Sequence, residues 1–518
     1  MNAMRLVVAA GLAAAWASGS AQDLRELAFH VVHPVGDRPV VDGALDDACW
    51  KKAACHDVMP VAEAEPIAAL DYSTTTGKVN PGLQSSSWAP RLSQYPPGVD
   101  DVALITNLHV RAFRTHDATY ANEGLYLADV QCVFPLMHLD AKDPKNYMFL
   151  PTDACLELGI KAGLEVFYRL GSSIEHTEAW GFGTLNPPDH AKYAEVCAGI
   201  IRHYNRGWAD GKRWNIRYWE LFNEPDWKHC WRGTKDEFID LFITCLRRLK
   251  GEFPEIKVGG PAMSYMNEKY FRDLLDACRK AGVKPDFVSW HHYGADLAKI
   301  QSEPAKMRAL CAEYGLPDVE LIVNEWHYLE NWAMFNGKNA PEKMESGLTG
   351  ATAHNGIDSG LFTLSTLARY QETPLSQSYF YGMGHMGDYG MADRSFTLNK
   401  VYHAMRLHGE ITSGYTDLVA SDYNRTNANY TVLGAWNADR SRACLLLADY
   451  RGGGDRLEVA VKGLDGFAPT RAEVLDLTRD GVPTKVDFRN GRLTAVKADR
   501  NSAAFLVTFE RKRQLTGK

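Results

Sequence analysis

From about residue 72 to 411, short apolar runs alternate with amphipathic stretches, and this alternation constrains the fold more than any other feature. The strand-like runs are His109 to Thr115, Leu164 to Leu170, Ile216 to Phe222, Lys257 to Met263, Phe287 to Tyr293, Glu320 to Trp326 and Ser376 to Tyr381. Between them lie helical patterns at Asp153 to Ala162, Tyr193 to Tyr204, Lys235 to Gly251, Glu268 to Gly282, Pro304 to Tyr314 and Leu398 to His408. Strands separated by helix-length connections imply a parallel sheet with helices outside it. A first strand near Thr75 to Gln84 brings the count to eight, so the expectation is an α/β fold, a (β/α)8 TIM barrel of ~340 residues. No Gly-rich phosphate turn follows the first strand, which argues against an open dinucleotide-binding sheet.

The texture changes after Ile411. Tyr430 to Trp436, Arg442 to Tyr450, Leu457 to Val461, Arg471 to Asp476 and Ala503 to Phe509 are short, alternating and punctuated by Gly, Asn and Asp. They predict an accessory C-terminal all-β sandwich over residues 412–518, behind a barrel over 72–411. Residues 22–71 form an N-terminal segment expected to contribute a strand to that sandwich. Within it, Val40-Val41-Asp42-Gly43-Ala44-Leu45-Asp46-Asp47-Ala48-Cys49-Trp50 resembles the opening of family 9 carbohydrate-binding modules, although too few residues follow to complete one.

A chain of 518 residues exceeds one ordinary core, in keeping with this division. A net charge of −7 leaves no basic excess to displace counterions from phosphates, so no nucleic-acid partner is expected. At the N-terminus, Arg5, the apolar run Leu6 to Trp16 and the small residues Ala17 to Ala21 read as a signal peptide over residues 1–21. That run is too short to span a bilayer, and no later segment does so either; a secreted or periplasmic location is expected. Five of the ten cysteines, Cys155, Cys197, Cys245, Cys278 and Cys311, fall on apolar helix faces and read as buried thiols. Cys49 and Cys55 are close enough in sequence for a disulfide, which spacing alone does not establish. Neither a Cys-x-x-Cys nor a His-Glu-x-x-His pattern occurs, so no metal and no cofactor is expected.

Two strand ends carry the chemistry. Tyr218-Trp219-Glu220-Leu221-Phe222 runs into Asn223-Glu224-Pro225-Asp226, and Leu321-Ile322-Val323 runs into Asn324-Glu325-Trp326. Side chains at the C-terminal ends of barrel strands converge on one mouth. Glu224 would end the fourth strand and Glu325 the seventh, so both can face one bound sugar. A pair of carboxylates flanking a glycosidic bond supplies a proton donor and a nucleophile when about 5 to 5.5 Å apart, and an acid and a base when ~6.5 to 9.5 Å apart. Arg114 and His116 share one strand face, as do His291 and Tyr293.

Trp219-Glu220-Leu221-Phe222-Asn223-Glu224-Pro225, followed by Trp231 and Phe238-Ile239-Asp240-Leu241-Phe242, resembles the acid/base region of glycoside hydrolase family 39, a family of the large clan of retaining (β/α)8 glycosidases. Val323-Asn324-Glu325-Trp326 resembles its nucleophile strand. Further matches lie at Gly77 to Asn80, Arg111 to Asp117, Phe167 to Gly171 and Phe287 to Tyr293. The resemblance implies that Glu224 is the acid/base and Glu325 the nucleophile, and that Asn223 contacts the sugar 2-hydroxyl. It also implies that His291 and Tyr293 touch the nucleophile or the sugar, and that a basic residue among Arg114 and His116 keeps the nucleophile ionised. Trp326 is a candidate to stack on a sugar ring or to close the barrel. Gly171-Ser172-Ser173 and Tyr379 to Gly384 carry no side chains that match the family pattern.

The function so implied is an exported retaining exo-glycosidase, β-xylosidase-like, acting on an oligosaccharide or polysaccharide. Hydrolysis of a uronide, as in the iduronidases of that family, is an alternative; Lys228 and Arg232 are the nearest cations in sequence to receive a sugar carboxylate. A transglycosylase would use the same residues. A non-catalytic carbohydrate-binding barrel is the alternative of another class, and the presence of both carboxylates with Asn223 counts against it.

Overall fold

The computed structural model describes residues 30–32, 55–57, 66–88, 101–118, 127–173, 184–330, 354–383, 389–392, 397–424 and 429–512. The chain divides into two units, Met1–Glu65 and Pro66–Lys518. In the first, β1 (His30–Val32) pairs antiparallel with β2 (Cys55–Asp57). The signal segment, the Val40 to Trp50 stretch and Cys49 lie outside the described residues.

The second unit holds a closed parallel barrel of eight strands. These are β4 (Ser85–Trp88), β5 (Ala112–His116), β6 (Glu165–Leu170), β7 (Tyr218–Leu221), β8 (Lys257–Met263), β9 (Phe287–Gly294), β10 (Glu320–Tyr328) and β11 (Gln377–Phe380), with β11 closing on β4. The first strand differs from expectation. β3 (Ala68–Lys78) belongs instead to the C-terminal sheet, between β12 (Asp417–Tyr423) and β15 (Arg456–Lys462). Its burial explains the difference: Ala68, Leu70 and Tyr72 are buried on one face and the later residues are exposed, the pattern of a half-solvated strand. The true first strand reads Ser-Ser-Ser-Trp and is buried on both faces, with Ser85 and Ser86 hydroxyls donating to the Gly82 and Trp88 carbonyls.

Helix ends follow local chemistry. Thr234 and Glu237 form a reciprocal capping box at the start of Lys235–Glu252. Asp296 caps Leu297–Glu313 by accepting from the Ala298 and Lys299 amides, so this helix begins two turns before Pro304, where the sequence pattern placed its start.

The C-terminal domain is one ten-stranded sheet. Besides β3, β12 and β15 it contains β13 (Tyr430–Trp436), β14 (Arg442–Asp449), β16 (Phe467–Leu475), β17 (Asp480–Pro483), β18 (Asp487–Arg489), β19 (Arg492–Val496) and β20 (Ala503–Arg511), in the order β17-β16-β20-β14-β13-β12-β3-β15-β19-β18. The sheet curls: Phe488 of the terminal strand β18 stacks edge-on against Phe509 of β20 at 5.1 Å, and both halves share one apolar core. The helix Ile357–Tyr370 is buried along its whole length between the barrel and this sheet, where Arg369 donates to Thr431 and to the Tyr430 carbonyl.

Candidate active site

Along each barrel strand alternate side chains face the interior. The lowest interior layer is apolar and consists of Ala112, Phe167, Tyr218, Phe287, Ile322 and Tyr379. Two residues further along the strands come Arg114, Arg169, Glu220 and Ser289, joined by Asn324. Period two thus carries the chain from a hydrophobic floor to a polar layer, and then to the mouth.

Arg114 organises that polar layer. Its Nε donates to Glu220 Oε2 at 2.7 Å, its Nη2 to Asn223 Oδ1 at 2.7 Å and its Nη1 to Glu325 Oε2 at 3.2 Å. Glu220 Oε1 accepts from Ser289 Oγ at 2.6 Å and Asn324 Nδ2 at 2.7 Å. Charges removed from water persist only when paired and hydrogen-bonded. Glu220 neutralises the guanidinium, whose remaining N–H groups are left to position the two residues above.

Glu224 sits on a tight turn. Phe222 and Glu224 have φ values of 75° and 45°, the left-handed region that non-glycine residues rarely occupy. The turn is held by Phe222 N–H donating to the Leu170 carbonyl at 2.9 Å and Glu224 N–H to the Ala262 carbonyl at 2.8 Å. Gly171 permits it, because a Cβ there would come within 2.7 Å of Phe222 Cα. Asp226 ties the far side by accepting from Ser264 N, Ser264 Oγ and Asn267 Nδ2.

The two carboxylates meet through His291. Its Nδ1 lies 2.8 Å from Glu224 Oε1 and its Nε2 lies 3.6 Å from Glu325 Oε2. One ligand atom from each of Glu224, His291 and Glu325 falls within 4.8 Å of the others. Burial pushes the Glu224 carboxyl up to about 8, against the pull of the Cys230 thiol, which donates to Oε2 at 3.4 Å. Burial also raises Glu325, but the Arg114 guanidinium and the Tyr293 hydroxyl, 2.6 Å from Oε1, favour its ionised form. Burial holds His291 down at about 4, so its ring is neutral. One proton placement satisfies all three groups: Glu224 O–H donates to His291 Nδ1, and His291 Nε2–H faces ionised Glu325. The same trio has the donor types of a metal site, yet a cation there would meet the Arg114 guanidinium and displace the proton that Glu224 retains.

Seven of the eight residues singled out in the sequence are gathered here: Glu224, Glu325, Asn223, His291, Tyr293, Arg114 and His116. His116 Nε2 stands 3.6 Å from Glu325 Oε2, and burial keeps its pKa well below the usual value. Trp326 is the exception. It is 0% exposed and packs edge-on against Tyr370 at 6.0 Å and Phe380 at 5.1 Å, on the helix side of β10, because the register irregularity between Val323 and Glu325 lets both Asn324 and Glu325 face inward and turns the next residue out. It therefore closes the barrel wall rather than stacking on a sugar. Lys228 and Arg232 are exposed loop residues. Ser172 and Ser173 are tied into a buried network with Gln131, Asp129 and Arg169. Of the Tyr379 to Gly384 stretch, Tyr379 lies in the apolar floor, Tyr381 donates to Asp117, and Gly384 is outside the described residues.

Glu220, Asp117 and Cys230 were not anticipated. Glu220 had a signal, since a carboxylate inside the apolar run from Tyr218 to Phe222 demands a buried partner, and Arg114 in another buried strand is the obvious one. Cys230 had none, because its meeting with Glu224 depends on how the turn folds back.

The chain is 25% identical over 229 residues to a β-xylosidase of Geobacillus stearothermophilus, covering 39% of this chain and 45% of that protein. It is 30% identical over 152 residues to a β-xylosidase of Caldicellulosiruptor saccharolyticus, covering 28% and 30% respectively. The alignments thus span less than half the length of these relatives. Among solved structures, a glucosidase from Croceicoccus marinus superposes with a TM-score of 0.68 at 20% identity, over 87% of this chain and 100% of that one. A GH39 β-xylosidase from Caulobacter crescentus gives 0.61 at 14% identity, over 86% and 100%. At such identities the likeness concerns the fold alone. Residues 74–341, more than half of the chain, match the sequence profile of glycosyl hydrolases family 39, and the protein belongs to that family.

Proposed function

We propose that the protein is an exported retaining exo-glycosidase, β-xylosidase-like, that cleaves glycosidic bonds by double displacement. Glu325 attacks the anomeric carbon while Glu224 protonates the departing oxygen. Glu224, now a carboxylate, then takes a proton from the water that releases the sugar. Arg114 and Tyr293 hold Glu325 ionised and aimed. Asn223 gives its Oδ1 to Arg114, which leaves its amide N–H groups to reach a sugar 2-hydroxyl. These steps need no cofactor.

The single observation that carries this reading is the separation of carboxylate oxygens, within 4.8 Å across His291. That spacing is closer to the roughly 5 to 5.5 Å of retaining enzymes than to the ~6.5 to 9.5 Å that accommodates a water in inverting ones. The β-xylosidase relatives support a xyloside as substrate. The test is proton NMR of an aryl β-D-xyloside during hydrolysis: β-xylose should appear first and mutarotate later, whereas first appearance of α-xylose contradicts retention. Export rests on the residue 1–21 pattern. Terminal sequencing of the mature protein tests it. If Glu224→Gln and wild type release aryl alcohol equally slowly while both bind xylan fragments, the carbohydrate-binding reading replaces catalysis.

A further inference from the structure

Asp117 follows directly on β5 and takes φ of 48°, so its backbone is held in the left-handed region at the barrel mouth. It is 7% exposed. Its Oδ2 accepts from the Tyr381 hydroxyl at 2.9 Å and lies 3.4 Å from His116 Nε2. That same His116 nitrogen stands 3.6 Å from Glu325 Oε2, so one imidazole edge bridges Asp117 and the proposed nucleophile. The Tyr381 ring is fixed by edge contacts with Trp88 at 4.9 Å, Tyr389 at 5.2 Å and Tyr293 at 6.2 Å. Asp117 Oδ1, by contrast, is buried and has no hydrogen-bond partner among the described residues.

A carboxylate oxygen shielded from water and given no donor carries its full desolvation penalty, and native folds rarely retain one without a use. Here the orphaned atom belongs to a side chain clamped from one side only, next to the carboxylate that must meet an anomeric carbon. The donor best suited to Oδ1 is a hydroxyl of the sugar itself. Charge narrows the choice. Among the described residues, Arg114 is already bonded to Glu220 and Arg169 to Asp129, while Asp117 and Glu325 add carboxylates to the mouth. A sugar bearing its own carboxylate would be set against Asp117.

We propose that Asp117 is a specificity-determining residue, whose Oδ1 accepts a hydrogen bond from a ring hydroxyl of the sugar beside Glu325 and whose charge selects neutral glycosides over uronides. The inference rests on the glycosidase reading and adds the class of sugar accepted.

The experiment compares wild type with Asp117→Asn, which keeps the shape, and Asp117→Gly, which suits the positive φ and deletes the carboxylate. Substrates are an aryl β-D-xyloside, its 3-deoxy and 4-deoxy analogues, an aryl β-D-glucuronide and an aryl α-L-iduronide. Thermal melting verifies that the variants fold. For wild type, kcat/KM should fall about 10- to 100-fold on the analogue that lacks the contacted hydroxyl, while Asp117→Gly loses little between xyloside and that analogue. Wild type should prefer the xyloside to both uronides, and Asp117→Asn should narrow that preference about tenfold. Equal losses for wild type and Asp117→Gly on both deoxy analogues overturn the inference while leaving the glycosidase reading intact, as does a wild-type preference for a uronide. Failure of wild type to cleave any of these substrates overturns both.

Discussion

The Arg114 guanidinium donates to Glu325 at 3.2 Å while Glu220, wholly buried beneath it, carries the balancing charge. Removing the anchor should therefore damage both the fold and the chemistry. Arg114→Met leaves Glu220 and Glu325 without their shared cation and should cost about 3–5 kcal/mol by urea unfolding, and Glu220→Gln, which leaves Arg114 paired with Glu325 alone, should cost less. In the folded fraction kcat should drop more than KM rises, because the lost contacts orient the reacting carboxylate. Unchanged stability in either variant contradicts the pairing.

The acid/base assignment fixes a pH limb. In the proposed mechanism Glu224 donates a proton, and burial holds that proton up to about 8, so kcat/KM should fall above roughly that pH. The same shift affects stability. An unfolded glutamate releases its proton near ~4.3, so between that pH and about 8 the folded chain binds more protons than the unfolded one. Stability contributed by protonated Glu224 is present at low pH and declines as pH rises through this window. Urea midpoints at pH 5 and pH 8 should differ less for Glu224→Gln than for wild type.

Cys230 tunes that limb. Its thiol donates to Glu224 Oε2, which favours the carboxylate. Cys230→Ser supplies a stronger donor and should move the basic limb of kcat/KM to lower pH; Cys230→Ala removes the donor and should move it higher. The three enzymes are expected in the order Ser, Cys, Ala by about half a unit per step. A limb that stays put in both variants rejects the contact.

Trp326 gives the opposite kind of result. Its indole packs against Tyr370 and Phe380, so Trp326→Ala should cost about 3–5 kcal/mol. Trp326→Phe, which retains most of the packing, should leave KM for an aryl xyloside unchanged. A KM that rises severalfold in a stably folded Trp326→Phe would place the indole in the sugar site.

Most of the barrel could be read from the chain because seven of its strands are buried runs with apolar stretches, separated by helix-length segments. The eighth was hidden by composition: Ser85, Ser86 and Ser87 look like loop, and only their backbone-bonded hydroxyls make them suitable for a buried strand. The helix Ile357–Tyr370 escaped because Ser359, Thr363, Ser365 and Thr366 read as loop, although every one of them is buried within the helix. In the site, residues on regular strands were legible through period two, which put Arg114 with His116 and His291 with Tyr293. Asp117 and Cys230 lie where the chain leaves regular structure, and there spacing no longer predicts direction. For Trp326 the sequence left stacking on a sugar and closing the barrel both open, because the irregularity of β10 between Val323 and Glu325, which sets its direction, leaves no mark in the spacing.

The most direct test is covalent trapping. An aryl 2-deoxy-2-fluoro-β-xyloside with a good leaving group slows both steps but the second more, so a glycosyl-enzyme should accumulate, and mass spectrometry of proteolytic fragments should locate the sugar on Glu325. A label on any other residue, or turnover of ordinary aryl xyloside with no trapped intermediate and release of the inverted sugar, would contradict the account.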